Sequence, residues 1–284
     1  MRAGDSDMYD EDLIWSQYSG DKTDIGIELM QVIRVMIKAL PLGKKLKVLS
    51  VGSGSEPQFK LLEAVFQSGV NLIDVDSFPL GIIKKYAEQR SIKNVSTIQE
   101  DYTKVFLKQG TTEQFFRNSL NGKNQDLITL HHSLYYCEEE VWTDLLTNLY
   151  QKILARKGAI HAVMMSSKSG DQSSTSWLYN HFAGRFFDCH NDQDLKHFGT
   201  ELEKSKAFNR AKFMKKTHKV KFWIDDFEKF MAVVWMILLY PNVHKYTPEQ
   251  KEEITGYIYH NFWLSKKPLV QMQDHLIVLK NLGG

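Results

Sequence analysis

Apolar and polar positions follow two rhythms along the first half of this chain. From Ile25 to Leu40, "IGIELMQVIRVMIKAL" places apolar residues at helical spacing, and Pro41 and Gly43 end the pattern. "LKVLSV" (46–51) is a continuous apolar run of buried-strand type. It passes into "GSGSEP", where Pro57 suits the first turn of a helix, "PQFKLLEAVFQSG", stopped by Gly69. "VNLIDVD" (70–76) reads as a second strand, Pro79 opens a helix to about Gln89, and "VSTIQ" (95–99) is a third strand. Residues 103–124 are mixed, polar and helical in part. "DLITLHH" (126–132) is a fourth strand, followed by the helix "EEEVWTDLLTNLYQKIL" with its glutamates at the N-terminus and Gly158 as its stop. "AIHAVMM" (159–165) is a fifth strand.

Alternating strands and helices predict an α/β fold, a parallel sheet with helices on both faces. Beyond Ser166 the rhythm changes. Residues 174–205 read as helical, "KKTHKVKFWI" (215–224) as a strand, and 225–240 and 247–261 as helices on either side of "PNVHKYTP". "QDHLIVL" (273–279) is a last strand. The two late helices predict a small helical insertion beside the sheet.

Composition narrows the classes. The chain has 284 residues and a net charge of +2, with 43% hydrophobic and 25% charged residues, the balance of an ordinary globular protein. Nothing in that balance calls for nucleic acid or an anionic membrane as partner. The longest apolar run, "FMAVVWMILLY" (230–240), is too short to span a bilayer. The N-terminal "MRAGDSDMYDEDLIW" is acidic and lacks an apolar signal core. Cys137 and Cys189 are the two cysteines, without metal-ligand spacing or a disulfide framework, so a reducing, cytoplasmic setting and no bound metal are expected.

The candidate chemistry begins at "VGSGS", directly after the first strand. Glycine there lets the backbone pass close to a ligand. Asp76 ends the second strand 22 residues after Gly54, where a carboxylate can accept hydrogen bonds from both ribose hydroxyls of a nucleoside ligand. A dinucleotide site wants a third glycine and a helix N-terminus free for pyrophosphate. Glu56 and Pro57 stand there instead. An acidic loop repels pyrophosphate and suits the cationic, phosphate-free S-adenosyl-L-methionine. "IQEDY" at the third strand's exit offers Gln99, Glu100 or Asp101 to an adenine amino group, or is simply a polar strand end.

With "KVLSVGSG", "DVDS", "ITLHHSLYYCEEEVW", "GRFF", "VVWMIL" and "DHLIVL", the chain resembles the class I S-adenosylmethionine-dependent methyltransferases, and within them the histamine N-methyltransferase group. The resemblance runs through most of the chain. It implies a Rossmann-like, seven-stranded, mostly parallel sheet and a single domain over 1–284. A helical lid would occupy 1–45, a cofactor-binding core 46–165, substrate-side helices 166–272 and the last strand 273–284. It implies S-adenosyl-L-methionine as cofactor, a small-molecule acceptor and a monomer, with an oligomer left open. Gly52 and Gly54 would lie against the methionine part of the cofactor, Asp76 and Ser77 at its ribose, Gln99 at its adenine, and His131 beside it. Tyr135 and Tyr136 match the family's paired site tyrosines, Tyr179 and Phe186 its substrate-sandwiching aromatics, and Glu28 the acid that binds the substrate ammonium. Glu56 replaces the third loop glycine, and His132 stands where the family has glutamine. Gln271, Met272 and Gln273 lie where it has asparagine. The acceptor therefore need not be histamine.

Methyl transfer from a sulfonium is an in-line displacement that needs a neutral, desolvated nucleophile, alignment and an aromatic wall. Tyr135 and Tyr136 suit that wall, or else pack the start of the next helix. Strand alternation would put His131 and His132 on opposite faces, one in the cleft and one under a helix. A strand-end His is either a satisfied structural group or a base, and His132 is the candidate for taking a proton or accepting a substrate hydrogen bond. Glu28 is either a substrate-amine partner or an exposed helix glutamate. Trp15 and Tyr18 could form a lid, whereas Met164 and Met165 read as core. Two other functions stay open: a natural-product O- or N-methyltransferase, and a silent methyltransferase fold used for binding.

Overall fold

The computed structural model describes residues 8–239 and 245–282. Parts of the N-terminal segment, of "PNVHKYTP" and of the C-terminal segment lie outside the described residues. In chain order the elements are α1 (Met8–Tyr18), α2 (Asp21–Ala39), β1 (Lys47–Val51), α3 (Phe59–Val65), β2 (Gly69–Asp74), α4 (Ser77–Gln89) and β3 (Val95–Gln99). Then come α5 (Tyr102–Leu107), α6 (Gln109–Asn118), β4 (Gln125–His131), α7 (Glu139–Asn148), β5 (Leu154–Met165), α8 (Thr175–Phe187) and α9 (Leu195–Lys204). The chain closes with β6 (Ala211–Phe222), α10 (Phe227–Leu239), α11 (Pro248–Ile258) and β7 (Leu269–Lys280). The seven strands form one mostly parallel sheet in the order β3-β2-β1-β4-β5-β7-β6.

The chain divides into two compact units. One comprises residues 25–164, 195–216 and 274–284, the other residues 1–24, 165–194 and 217–273. The larger unit follows from strand alternation. Val48, Leu72, Leu127, Ala159 and Ile277 point to one face, where the apolar stripe of α2 (Leu29, Val32, Ile33, Met36) joins them. Leu49, Ile73, Ile128, Ile160, Met164 and Val278 point to the other, where Trp142 and Leu145 of α7 and Phe198 of α9 bury them. The smaller unit has its own aromatic core of Trp15, Phe182, Phe222, Phe230, Trp235 and Phe262. Trp15 is stacked on Phe222 at 5.5 Å between centroids. Residues 230–239 of the apolar run lie in α10, and no described helix is long and apolar enough to cross a membrane.

Three local expectations change. Pro57 does not open α3; it sits in a turn after Glu56, whose φ is +42°, and the helix starts at Phe59. Pro79 is the third residue of α4, which begins at Ser77 under an Asp76 cap. Gly158 does not stop a helix: the chain leaves α7 through one π-turn over Leu149–Ile153, and β5 already begins at Leu154. Gly158 lies in the strand, beside a register shift between Gln125 and Leu127. A Cβ there would lie 2.8 Å from the Asp126 carbonyl oxygen, so the glycine permits close approach of two backbones. Gly158→Ala should destabilise the protein by about 1–3 kcal/mol. Chemical denaturation checks this, and an unchanged midpoint would refute the close-approach role.

Candidate functional site

In parallel strands the carboxyl ends share one edge. The registers Val51↔Ile73, Asp74↔Gln99 and His131↔Val163 bring β1 to β5 out at that edge. The order runs from β1 to β2 on one side and from β1 to β4 on the other, which makes the β1/β4 boundary a topological switch point, the usual crevice for ligands in open α/β sheets.

Two loops meet there. Gly52 and Ser53 donate their N–H groups to the Ile73 carbonyl at 2.9 and 3.2 Å. Gly52 has φ +61°, and a Cβ on it would fall 2.4 Å from Ser133 Cβ and 3.1 Å from the Tyr102 ring. The Tyr102 hydroxyl donates to the Ser133 carbonyl at 2.5 Å. Gly52 thus serves the contact between the β1 loop and the β4 exit. Gly54 differs: at φ +48° a Cβ would meet nothing within 4 Å, so it borders open space. Its N–H donates to Asp74 Oδ2 at 2.7 Å, and Asp74 Oδ1 accepts from the Asp76 N–H at 2.9 Å. Asp74 is therefore spent on holding the loop. Asp76 is exposed, with Oδ1 accepting from the Phe78 N–H at 2.8 Å, and Ser77 is exposed beside it. Gln99 ends β3 exposed, its amide donating to the Val75 carbonyl at 3.4 Å. Asp101 is used as the cap of α5 through the Thr103 N–H.

Glu56 is not displayed at the loop surface. It is buried, accepting from the Ser50 hydroxyl and, at 3.1 Å, from the Gln58 N–H. Its carboxylate occupies the Gln58 amide before α3, one that a pyrophosphate would need.

At the β4 exit the strand ends with His131, and His132 turns into the left-handed region at φ +54° while its N–H donates to the Val163 carbonyl at 2.9 Å. Alternation of the two rings across the sheet therefore does not apply. His131 Nε2 lies 3.2 Å from His161 Nδ1. His132 Nδ1 lies 3.2 Å from the Tyr135 hydroxyl, with the two rings near parallel. Tyr135 is half-buried against the core, and Tyr136 is 48% exposed. A non-glycine residue held at positive φ next to such a pair is the kind of strain found at functional positions. Burial, with Asp101 and Glu138 nearby, pushes the Cys137 thiol up to about 12, so no thiolate nucleophile is present there.

Glu28 is buried, and its Oε2 pairs with Lys216 Nζ at 2.6 Å. Tyr179 and Phe186 belong to α8 in the smaller unit. There Tyr179 is buried and Phe186 carries the Arg185 guanidinium 4.3 Å over its ring. Sequence reasoning missed the polar row on the α2-covered face of the sheet. Ser50 pairs with Thr129, Thr129 pairs with His161, and His161 Nε2 lies 3.1 Å from His275 Nδ1. In sequence each is one polar residue in an apolar strand; only register lines them up.

The chain matches a Galdieria sulphuraria structure provisionally named a sarcosine dimethylglycine methyltransferase, with TM-score 0.53 and 11% identity over 91% of this chain and 86% of that one. It also matches the YcgJ protein of Bacillus subtilis, at 0.53 and 12% over 89% and 100%. A Bacillus halodurans structure provisionally named a methyltransferase matches at 0.51 and 14% over 88% and 98%. At such identities the likeness shows the fold: a Rossmann-like methyltransferase fold. No protein-family model and no curated protein sequence matches the chain.

Gly52→Ala should cost about 2 kcal/mol or more, from the clash with Ser133 added to the positive φ, whereas Gly54→Ala should cost about 1–2 kcal/mol from φ alone. Equal costs in denaturant titrations would contradict the distinct roles. A pH dependence follows from His161, which burial, with His131 and Lys216 nearby, holds well below the ordinary imidazole value of 6.5. Below that value the unfolded chain takes up a proton that the folded one refuses, so stability falls as pH drops. The His161→Gln variant should lose up to about 1.4 kcal/mol per pH unit less than the parent in this range. Parallel slopes in melts at stepped pH would exclude it.

Proposed function

We propose that the protein transfers a methyl group from S-adenosyl-L-methionine to a nitrogen of a small amine or imidazole compound. The observation that carries the reading is the switch-point edge, with Gly54 bordering open space beside an exposed Asp76 carboxylate and the Gln58 amide before α3 taken by Glu56. That edge fits a nucleoside without phosphates. Asp76, with Ser77, would take the ribose hydroxyls, Gln99 the adenine edge, and Gly52, Gly54 and His131 the cofactor's sulfur side. When bound, the cofactor supplies an electrophilic methyl carbon on a sulfonium.

The chain's own residues would align the acceptor. If His132 donates its Nδ1–H to Tyr135, its Nε2 carries the ring's lone pair, the kind of acceptor that orients a substrate N–H. Tyr135 and Tyr136 would provide aromatic surface for the charge that moves onto the product. Glu28 already holds an ammonium, that of Lys216, and a substrate amine would exchange with it. His132, standing where the resembling family has glutamine, is the position at which the acceptor would differ from histamine, and natural-product amines belong in the same screen.

Calorimetry should show S-adenosylhomocysteine binding to the parent. Asp76→Asn, which keeps the helix cap, should bind at least about tenfold more weakly through loss of charged hydrogen bonds. Unchanged affinity removes Asp76 from the site, and no binding to the parent sinks the enzyme reading. Methyl acceptors are then sought among imidazoles and biogenic amines by S-adenosylhomocysteine release. His132→Asn, which tolerates positive φ, should lower turnover with cofactor affinity retained.

A further inference from the structure

A line of three imidazoles crosses the sheet from the β4 exit. His131 Nε2 is 3.2 Å from His161 Nδ1, and His161 Nε2 is 3.1 Å from His275 Nδ1. The rings belong to β4, β5 and β7, neighbours in the sheet, on the face covered by α2. His161 and His275 are 0% exposed and His131 is partly exposed, so the line has one end at the candidate site and the other in the core. Among the described residues no group of three or more His, Cys, Asp or Glu is arranged to hold a metal ion. The geometry is a chain rather than a cluster.

We infer that His131 is the proton acceptor of the methyl transfer, and that His161 and His275 are positioning residues that determine which of its nitrogens takes the proton. This rests on the methyltransferase reading above. An amine or imidazole nitrogen must lose a proton to finish as a neutral product, and a base beside it can take that proton. While all three rings are neutral, the hydrogen bonds of the chain can point in either direction. Once His131 is cationic, only one direction remains. His131 then donates its Nε2–H to His161 Nδ1, and His161 donates its Nε2–H to His275 Nδ1.

As the acceptor nitrogen bonds to the methyl carbon, the carbon–sulfur bond breaks and its electron pair stays on sulfur. The N–H proton passes to His131 Nδ1, and returns from there to water when the product leaves. Hydrogen bonds that all point away from the charge strengthen one another and raise the proton affinity of His131. Burial keeps His161 neutral, so it stays an acceptor toward His131. The charged side chain acting on His161 is Lys216 on β6, whose ammonium pairs with Glu28 of α2 at 2.6 Å, and the pairing mutes the opposing effect of the lysine.

The test is ring-nitrogen NMR on the full-length protein, with kinetics alongside. In the unaltered protein, at a pH below the titration of His131, His161 and His275 should both carry their proton on Nε2. His275→Leu should lower the proton affinity of His131 about threefold. His275→Asn, which restores an acceptor near the place of Nδ1, should leave it as in the parent. His131→Asn should lower kcat about 100-fold, within the range of acid–base catalysis, in protein that still binds S-adenosylhomocysteine. An Nδ1–H tautomer on His161 in that state, the same His131 titration in the parent and in His275→Leu, or an undiminished kcat in His131→Asn would each overturn the inference. The tautomer measurement does not depend on any variant folding. Failure of S-adenosylhomocysteine to bind sinks both readings, whereas binding with any of the overturning results sinks this one alone.

Discussion

The candidate site depends on one contact, Gly52 against Ser133. The sheet order splits at β1/β4, so the loop leaving β1 and the chain leaving β4 must pass each other at the carboxyl edge. With a Cβ on Gly52 they would collide at 2.4 Å. Without it, Tyr102 closes over the junction and bonds Ser133, and Asp74 holds the Gly54 amide from the neighbouring strand. Each group that faces open space (Gly54, Asp76, Gln99) stands on a backbone held by a group that does not.

Charge is handled in the same way on the α2-covered face. Buried polar groups cost free energy unless they satisfy one another. Glu56 takes Ser50 and the Gln58 amide, Glu28 takes Lys216, and the three imidazoles take each other. The face is apolar around Val48, Leu127 and Ile277 and polar at Ser50, Thr129, His161 and His275. Polar groups gather toward the carboxyl ends, where a ligand would lie. An apolar core would be simpler to stabilise there, which points to a use for the polar row beyond folding.

Much of the architecture was legible from periodicity. Continuous apolar runs marked the buried strands, and the strand-to-helix rhythm marked the parallel sheet, because burial on both faces leaves few alternatives for such runs. Local punctuation was less reliable. Gly158 reads as a helix stop because glycine is common there, yet its role is a close backbone approach to Asp126, a long-range fact. Glu56 reads as an exposed acid on a loop, yet a positive φ turns it inward onto Ser50.

The sequence by itself determined the strands, the glycine loop and the His–His–Tyr–Tyr exit after β4, since each is a local pattern of residue type and spacing; it put Asp76 at the end of the second strand, whereas β2 stops at Asp74 and Asp76 caps α4. Tertiary structure alone decided which glycine packs and which stays open, that Glu28 meets Lys216, and that His131 faces His161, which in turn faces His275, rather than alternating with His132. Those outcomes depend on strand register and order, which bring residues more than a hundred positions apart, such as His161 and His275, within 3.1 Å. A single strand carries no information about the register of its neighbours, so no reading along the chain could have shown them.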